Sequence, residues 1–230
     1  MRGLLLPALA ASFALAACGT SGPEGAGGSG GAGAEDVTCH DGASPSLTIA
    51  CVQSFAPGDG AGYGEDRYPE IVYGEPQGLG THYGSTDVLS LGKSGSIVVG
   101  FGGSEIVDGP GADFIVFENT FYIGDDATKP FKELGEISVS DDGATWTTFP
   151  CKQDAYPFTG CAGWHATFAG SGLDISAYDP ATAGGDAFDL ADLGLKTARF
   201  VQIHDVSNFG AGGNAGFDLD AVTLVHAQDR

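Results

Sequence analysis

The sequence predicts an all-β fold. Short runs of β-branched and aromatic residues recur along the chain, and clusters of glycine, proline and aspartate separate them. No long segment keeps the period of apolar residues that an amphipathic helix requires. Many short strands joined by turn-rich segments are typical of sandwiches, jelly rolls and barrels.

Seven segments carry the strand signals. They are residues 47–52, 88–91, 96–101, 114–117, 137–146, 200–203 and 217–224. Residues 114–117 form a continuous apolar run, which predicts a strand covered on both faces. Asp-Asp-Gly at 141–143 predicts a hairpin turn, with an ion-binding loop as the alternative. Residues 187–193 are the best candidate for a short helix.

The first 35 residues differ in composition from the rest of the chain. Residues 1–17 combine Arg2, a short apolar stretch and small residues before Cys18, which predicts a signal peptide. Residues 18–35 are rich in glycine, alanine and serine, which predicts a flexible tether. Residues 36–230 then form one domain of ordinary size.

The four residues 15–18, Leu-Ala-Ala-Cys, resemble the lipobox of bacterial lipoproteins. The resemblance implies that Cys18 is acylated and becomes the mature N-terminus, whereas an ordinary signal peptide with a chance cysteine is the alternative. Gly19, rather than an aspartate, follows the cysteine, which resembles the pattern of Gram-negative lipoproteins that are delivered to the outer membrane. We therefore expect an exported protein, lipid-anchored in the outer membrane or at the cell surface.

The charge balance is strongly acidic, with 30 Asp and Glu against 9 Lys and Arg and a net charge of −21. This excess argues against a nucleic-acid partner and against electrostatic docking on anionic lipid, so membrane contact is expected only through the lipid anchor. The acids favour either a well-solvated surface or bound cations. A monomer is expected.

Four cysteines remain after Cys18, and an even number in an exported chain predicts disulfides. Three pairings are possible. The pairs Cys39–Cys51 and Cys151–Cys161 are favoured because each closes a short loop at little entropic cost. Zinc binding is the alternative, but the cysteine spacings do not match common zinc motifs.

Two stretches resemble discoidin domains, also called coagulation factor 5/8 type C domains. Residues 139–146 are similar to the family's V-x-x-S-x-D-G-x-x-W hairpin, and residues 197–203 to its T-A-R-Y-V-R-I strand. The resemblance implies a galactose-binding-like jelly-roll sandwich of about eight antiparallel strands. Many carbohydrate-binding modules share that fold, often with a structural calcium ion.

The C-terminal strand departs from the discoidin pattern. Residues 216–222 look more like the last strand of carbohydrate-binding modules of the same fold, which implies that Asp220 is a calcium ligand. Residues 108–119 and 184–192 also resemble stretches of bacterial cell-surface proteins. A phospholipid or collagen ligand of the discoidin type is therefore not expected.

The acidic residues predict one structural calcium site. Asp186 and Asp189 follow a Gly-Gly turn, and a spacing of three would place both carboxylates on one side of a tight turn. Together with Asp220 they form the expected ligand set, and Glu118 and Asp218 are lesser candidates. Solvated loop carboxylates and turn caps are the alternative.

Aromatic residues in the two long loops predict a ligand-binding surface, because flat rings stack on the apolar faces of sugars. Packing of the loops on the sandwich is the alternative for each ring. The candidates are Tyr63, Tyr68, Tyr83, Tyr156 and Trp164.

The chain lacks the familiar catalytic signatures G-x-S-x-G and H-E-x-x-H and any glycine-rich phosphate loop. We therefore expect that the protein is not an enzyme. The expected function is binding of a carbohydrate or another extracellular ligand, such as a protein, in adhesion. A secreted polysaccharide hydrolase and a structural envelope protein without a small ligand are the alternatives.

Overall fold

The structure, a computed structural model, describes residues 39, 42–170, 174–207 and 209–230. The predicted signal peptide (1–17), the lipidation site Cys18 and the tether (18–35) lie outside the described residues. Within the described part, the regular elements are β-strands and four short 3₁₀ helices, so the predicted all-β class is confirmed. None of these helices has the length and apolar character needed to cross a membrane.

The described residues form seventeen strands, and many of them contain only two or three residues. The strands are β1 (Cys51–Ala56), β2 (Leu89–Ser90), β3 (Ser96–Gly100), β4 (Ser104–Val107), β5 (Phe114–Glu118), β6 (Phe121–Tyr122), β7 (Pro130–Phe131), β8 (Gly135–Ser140), β9 (Thr147–Thr148), β10 (Cys161–Ala162), β11 (Asp186–Phe188), β12 (Thr197–Ala198), β13 (Phe200–Asp205), β14 (Gly210–Ala211), β15 (Asn214–Ala215), β16 (Asp218–Leu224) and β17 (Ala227–Asp229). The 3₁₀ helices are Glu65–Arg67, Glu70–Val72, Ile123–Asp125 and Leu190–Leu193.

Two antiparallel sheets form the body of a β-sandwich. The six-stranded sheet has the order β1-β3-β13-β8-β10, with β9 paired to β8, and the four-stranded sheet has the order β11-β5-β16-β2. A small sheet, β12-β4-β17, and the hairpins β6-β7 and β14-β15 complete the fold. The jelly-roll strand order that the discoidin resemblance implies stays a prediction.

The core lies between the two larger sheets. Ile97, Ile203 and Ile137 lie side by side on β3, β13 and β8, and a row of three valines follows two residues along. Because side chains alternate across a strand, both rows face the same side, where they join Phe114 and Val116 of the opposite sheet in one buried cluster. This is the sheet-on-sheet packing of a sandwich.

Strand β5 is buried along its whole length, as its continuous apolar run predicts. Its other face carries Ile115 and Phe117, which pack against small buried residues. These are Ala169, Ala177, Ala183 and Ala221. The segment before β11 therefore covers the outer face of the four-stranded sheet.

The turn at 141–143 is a hairpin between β8 and β9, as predicted. The Asp142 carboxylate accepts hydrogen bonds from the backbone N–H groups of Ala144 (2.8 Å) and Thr145 (2.6 Å). The turn itself uses this carboxylate, which removes the reason to interpret the stretch as an ion loop.

The helix expected at residues 187–193 is wrong in its first half. Residues 186–188 form β11, where Phe188 stacks on Phe114 with ring centroids 5.2 Å apart. Only Leu190–Leu193 is helical, as a 3₁₀ helix that ends at Gly194. Packing of the phenylalanine rings in the core outweighs a weak local helical preference.

Candidate functional site

The four cysteines expected to form disulfides are bonded in two pairs. Cys39 is bonded to Cys51, and Cys151 is bonded to Cys161. These are the two pairs that short loop closure favours, and bonded cysteines are not available as zinc ligands. The second bond closes the loop between β9 and β10.

Asp186 is buried at the start of β11, and nitrogen donors occupy its carboxylate. Oδ2 accepts from the backbone N–H groups of Gly163 (2.7 Å) and Trp164 (3.2 Å), and Oδ1 lies 2.7 Å from Nδ1 of His165. Position 163 requires glycine, because its φ is +85° and a Cβ there would lie 2.2 Å from the backbone oxygen of Glu133. Asp186 therefore fixes this turn beside Glu133.

Asp189 belongs to a different acidic group, in which one of its carboxylate oxygens lies within 4.8 Å of one oxygen each of Asp108 and Asp113. Nitrogen donors surround this group as well. Asp113 Oδ1 lies 2.9 Å from Nδ1 of His226, Asp108 is paired with Lys196, and Asp189 caps the 3₁₀ helix that follows it. These donors offset much of the negative charge, so the group does not require a cation.

Asp220 lies elsewhere again, buried within β16. Both of its carboxylate oxygens accept from the backbone N–H of Gln77, at 3.1 and 3.0 Å. Burial raises the pKa of Asp220 to about 7, although the hydrogen bond from Gln77 acts in the opposite direction.

The structure thus does not bring Asp186, Asp189 and Asp220 together as one ion site. The expectation placed Asp186 and Asp189 in a tight turn, where residues three apart share a side. In the structure residues 186–188 are an extended strand, so residues three apart point to opposite faces. Asp220 in turn lies at a β-bulge between Leu219 and Ala221, where the pairing of β16 with β5 is displaced.

Glu118 and Asp218, the lesser candidates, do come together, and Glu133 joins them. Glu118 ends β5, Asp218 begins β16 and Glu133 lies two residues before β8. One carboxylate oxygen of each lies within 4.8 Å of the other two, and the residues are only 1%, 7% and 3% exposed, respectively. We call these three residues the buried acidic cluster.

Sequence reasoning missed Glu133. It lies in a short polar stretch outside the predicted strand, and nothing in its neighbours distinguishes it from a solvated surface acid. The only available signal was that it immediately precedes a strand, as Glu118 ends one, so that both could lie at the same edge of the sandwich.

Neutral groups supply the hydrogen bonds of the buried acidic cluster. Asp218 accepts from the hydroxyl of Ser90 and from the side-chain amide of Asn119 (3.0 Å), and Oε2 of Glu118 accepts from the hydroxyl of Thr120. Oε1 of Glu118 is buried and has no hydrogen-bond partner among the described residues. Ion pairs between described residues do not include any member of the cluster.

Burial and mutual repulsion make these carboxyls weak acids. Burial, followed by the negative charges of Asp218 and Asp205, raises the pKa of Glu133 to about 8. Burial also raises the pKa of Asp218 to about 6, despite its two hydrogen bonds, and the pKa of Glu118 well above its ordinary value. Such a cluster can hold either protons or a cation.

The three candidate tyrosines of the first long loop have different surroundings. Tyr63 donates a hydrogen bond from its hydroxyl to the backbone oxygen of Thr86 (2.9 Å). Tyr68 packs against Phe55, with ring centroids 5.2 Å apart, and contacts the core. Tyr83 is 71% exposed. Tyr68 therefore has a packing role, whereas Tyr83 is accessible.

Tyr156 and Trp164 form one aromatic group in the second loop. Their ring centroids are 5.7 Å apart with the planes nearly perpendicular, and both contact the buried ring of Phe158. Tyr156 is 46% exposed, and Trp164 is fixed by a hydrogen bond from Nε1 to the backbone oxygen of Cys161 (3.0 Å).

The residues directly before Tyr156 in the sequence line an open depression of about 560 Å³. Its lining residues are Cys151, Lys152, Gln153, Asp154 and Ala155. The loop closed by the second disulfide thus combines an exposed ring with a charged or amide side chain at three successive positions.

The chain matches no model of a known protein family and no curated protein. The resemblance to discoidin domains therefore rests on residues 139–146 and 197–203. The structure places residues 139–140 on β8 and residues 200–203 on β13, which are neighbouring strands of one sheet.

Proposed function

We propose that the protein is an exported, lipid-anchored β-sandwich that binds a carbohydrate or another extracellular ligand and has no catalytic activity. The observation that carries this proposal is the loop closed by the second disulfide, in which the half-exposed Tyr156 directly follows, in the sequence, the residues that line an open depression. Loops on a rigid scaffold are the usual place for recognition.

The chemistry of this loop suits a sugar. The flat ring of Tyr156 can stack on the apolar face of a pyranose, while Lys152, Gln153 and Asp154 can form hydrogen bonds with its hydroxyl groups. A volume of about 560 Å³ also lies within the range of small-ligand sites.

The loop is held in place before any ligand arrives. The Cys151–Cys161 disulfide joins the two ends of the loop. Trp164 is hydrogen-bonded and packs against Phe158. Groups that are already ordered lose less conformational entropy on binding, which favours affinity.

A glycan array with the purified protein tests the proposal, and Tyr156→Ala tests the site. For glycans bound by the wild type, we expect Tyr156→Ala to weaken affinity at least tenfold, equivalent to about 1.4 kcal/mol. Tyr83→Ala is the matched comparison, because it removes an exposed candidate tyrosine that belongs to the other loop. A site on the second loop predicts that this variant binds as the wild type does. Equal affinities of wild type and Tyr156→Ala would refute the proposed surface.

A polysaccharide hydrolase is the second candidate, and one observation favours it. Asp186 orients His165, an arrangement that catalytic dyads also use, and the His165 side chain is 43% exposed. Release of reducing sugar from bound glycans, abolished in His165→Ala, would support the hydrolase and contradict a non-catalytic module. A structural envelope protein would bind no glycan and no extracellular protein.

A further inference from the structure

The buried acidic cluster brings together three carboxylates that the proposed ligand surface does not use. Glu118, Glu133 and Asp218 are each at least nine-tenths buried, and one carboxylate oxygen of each lies within 4.8 Å of the other two. Like charges so close together in a poorly solvated site are strongly unfavourable unless a cation or protons neutralise them. The hydrogen bonds that reach the cluster come from uncharged side chains.

A second observation points to a missing ligand. Oε1 of Glu118 is buried and accepts no hydrogen bond from the part of the chain that the structure describes, although Oε2 of the same carboxylate accepts from Thr120. Buried polar atoms in native proteins are almost always satisfied. In three other buried acids, Asp113, Asp186 and Asp220, both carboxylate oxygens accept hydrogen bonds.

We propose that Glu118, Glu133 and Asp218 bind one calcium ion. The cluster offers only carboxylate oxygens, which hard cations prefer, and it contains no histidine or cysteine, which zinc would favour. Three carboxylates can supply up to six oxygens, close to the six to eight that calcium takes. Magnesium usually retains several of its waters, which suits so buried a position less well.

The position of this site gives the ion a structural role. Glu118 and Glu133 stand at the two ends of residues 119–132, the segment that contains the hairpin β6-β7, and Asp218 begins β16. One ion bound by all three would fasten both ends of that segment to the sandwich.

The site also adjoins the proposed ligand loop. Leu134, directly after Glu133, packs in a small cluster with Phe158 and Trp164. A cation that fixes Glu133 therefore stabilises the support of these rings. The site is distinct from the one that the resemblance to carbohydrate-binding modules implies, in which Asp220 is the ligand.

Measurement of bound metal tests the site on the full-length protein. The protein is freed of metal with EDTA and titrated separately with Ca²⁺ and Mg²⁺, followed by calorimetry and elemental analysis. We expect one Ca²⁺ per chain, a higher unfolding midpoint with Ca²⁺ than in EDTA, and weaker binding of Mg²⁺. The test does not depend on any glycan, so it can fail or succeed independently of the proposed function.

Variants locate the ion. Glu133→Gln and Asp218→Asn are expected to bind Ca²⁺ at least tenfold more weakly, while Asp108→Asn, from the other acidic group, is expected to bind as the wild type does. In EDTA, Glu133→Gln is expected to unfold at a higher temperature than the wild type, because an amide, unlike the Glu133 carboxyl, does not have to take up a proton or bury a charge when the chain folds, so lost binding is not a result of misfolding. Failure of the wild type to bind millimolar Ca²⁺, or unchanged binding in both cluster variants, would overturn the proposal.

Discussion

The buried acids of this protein differ in the donors that reach them, and that difference decides their roles. Asp205, like Asp186, is saturated by N–H groups, which include those of Ser94 (3.0 Å) and Phe217 (2.9 Å). Such carboxylates fix loops, because each replaces water around backbone donors that would otherwise be buried without partners. Glu118, one oxygen of which receives no donor from the residues described, is available for a different partner.

Asp186→Ala tests the structural role of a donor-saturated acid. The change leaves the backbone N–H groups of Gly163 and Trp164 without an acceptor and removes the partner of His165. We expect a loss of about 2–4 kcal/mol in the free energy of unfolding, measured with urea. Asp189→Ala, which removes only the cap of a 3₁₀ helix, should cost about 1 kcal/mol. Equal losses in the two variants would contradict this distinction.

At the level of elements, the sequence predicts most of the longer strands because alternation and β-branched residues carry a local signal. β3, β5, β8, β13 and β16 all lie where that signal is strongest. The local signal is less reliable where pairing with another strand sets the boundary of a strand. β1 begins at Cys51 rather than at the predicted residue 47, because its partner β3 ends at Gly100, opposite Cys51.

The candidate site was only partly predictable, because a set of ligands depends on which strand ends meet in space. The sequence indicates that Glu118 and Asp218 adjoin strands, but it does not indicate that the segment before β8 reaches them with Glu133. The hydrogen bonds that Asp186 accepts cannot be predicted from the sequence either, because their donors are backbone N–H groups more than twenty residues away along the chain. The disulfides were easier to predict, since short loop closure is a property of spacing alone.

The loop between β9 and β10 should lose both stability and binding when its disulfide is removed. Replacing Cys151 and Cys161 together by alanine opens a loop with a sequence separation of 10 residues. We expect the free energy of unfolding to fall by about 2–3 kcal/mol, and glycan affinity to fall with it, because the ligand loop gains conformational freedom. Urea unfolding and the glycan titration measure the two effects.

Removal of the other disulfide serves as the control for that experiment. The corresponding change at Cys39 and Cys51, a separation of 12 residues, should lower stability similarly without changing glycan affinity. A loss of affinity in both double variants would indicate a general effect of destabilisation.

At the level of the whole molecule, metal-free stability should depend on pH through the raised carboxyl groups. Unfolded Asp and Glu titrate near pH 4, whereas the pKa values of Asp218, Asp220 and Glu133 in the folded protein are about 6, 7 and 8. The folded state therefore keeps protons that the unfolded state has already lost. Stability from these groups is complete below about pH 4 and is lost as the pH rises to about 8.

Unfolding in urea at several pH values, with EDTA or with Ca²⁺, measures this dependence. In EDTA we expect the free energy of unfolding to fall by a few kcal/mol between about pH 4 and pH 8. Saturating Ca²⁺ should remove the share due to Glu133 and Asp218 and leave that of Asp220, which is not in the cluster. The lowered pKa of Asp126, about 2, acts only in more acidic solution and does not affect this window. A flat profile in EDTA would contradict the expectation.

Because backbone N–H groups satisfy several of the buried carboxylates, the stability of this fold should depend little on the concentration of dissolved salt. The ion pair between Arg67 and Asp87 lies at the surface, where dissolved electrolyte screens charges over about 10 Å, so it adds little to stability. The short contacts that hold Asp113, Asp186 and Asp205 are buried and escape this screening. Added electrolyte also weakens repulsion among the surplus anionic groups, so brackish or saline media should leave the molecule as stable as dilute buffer does.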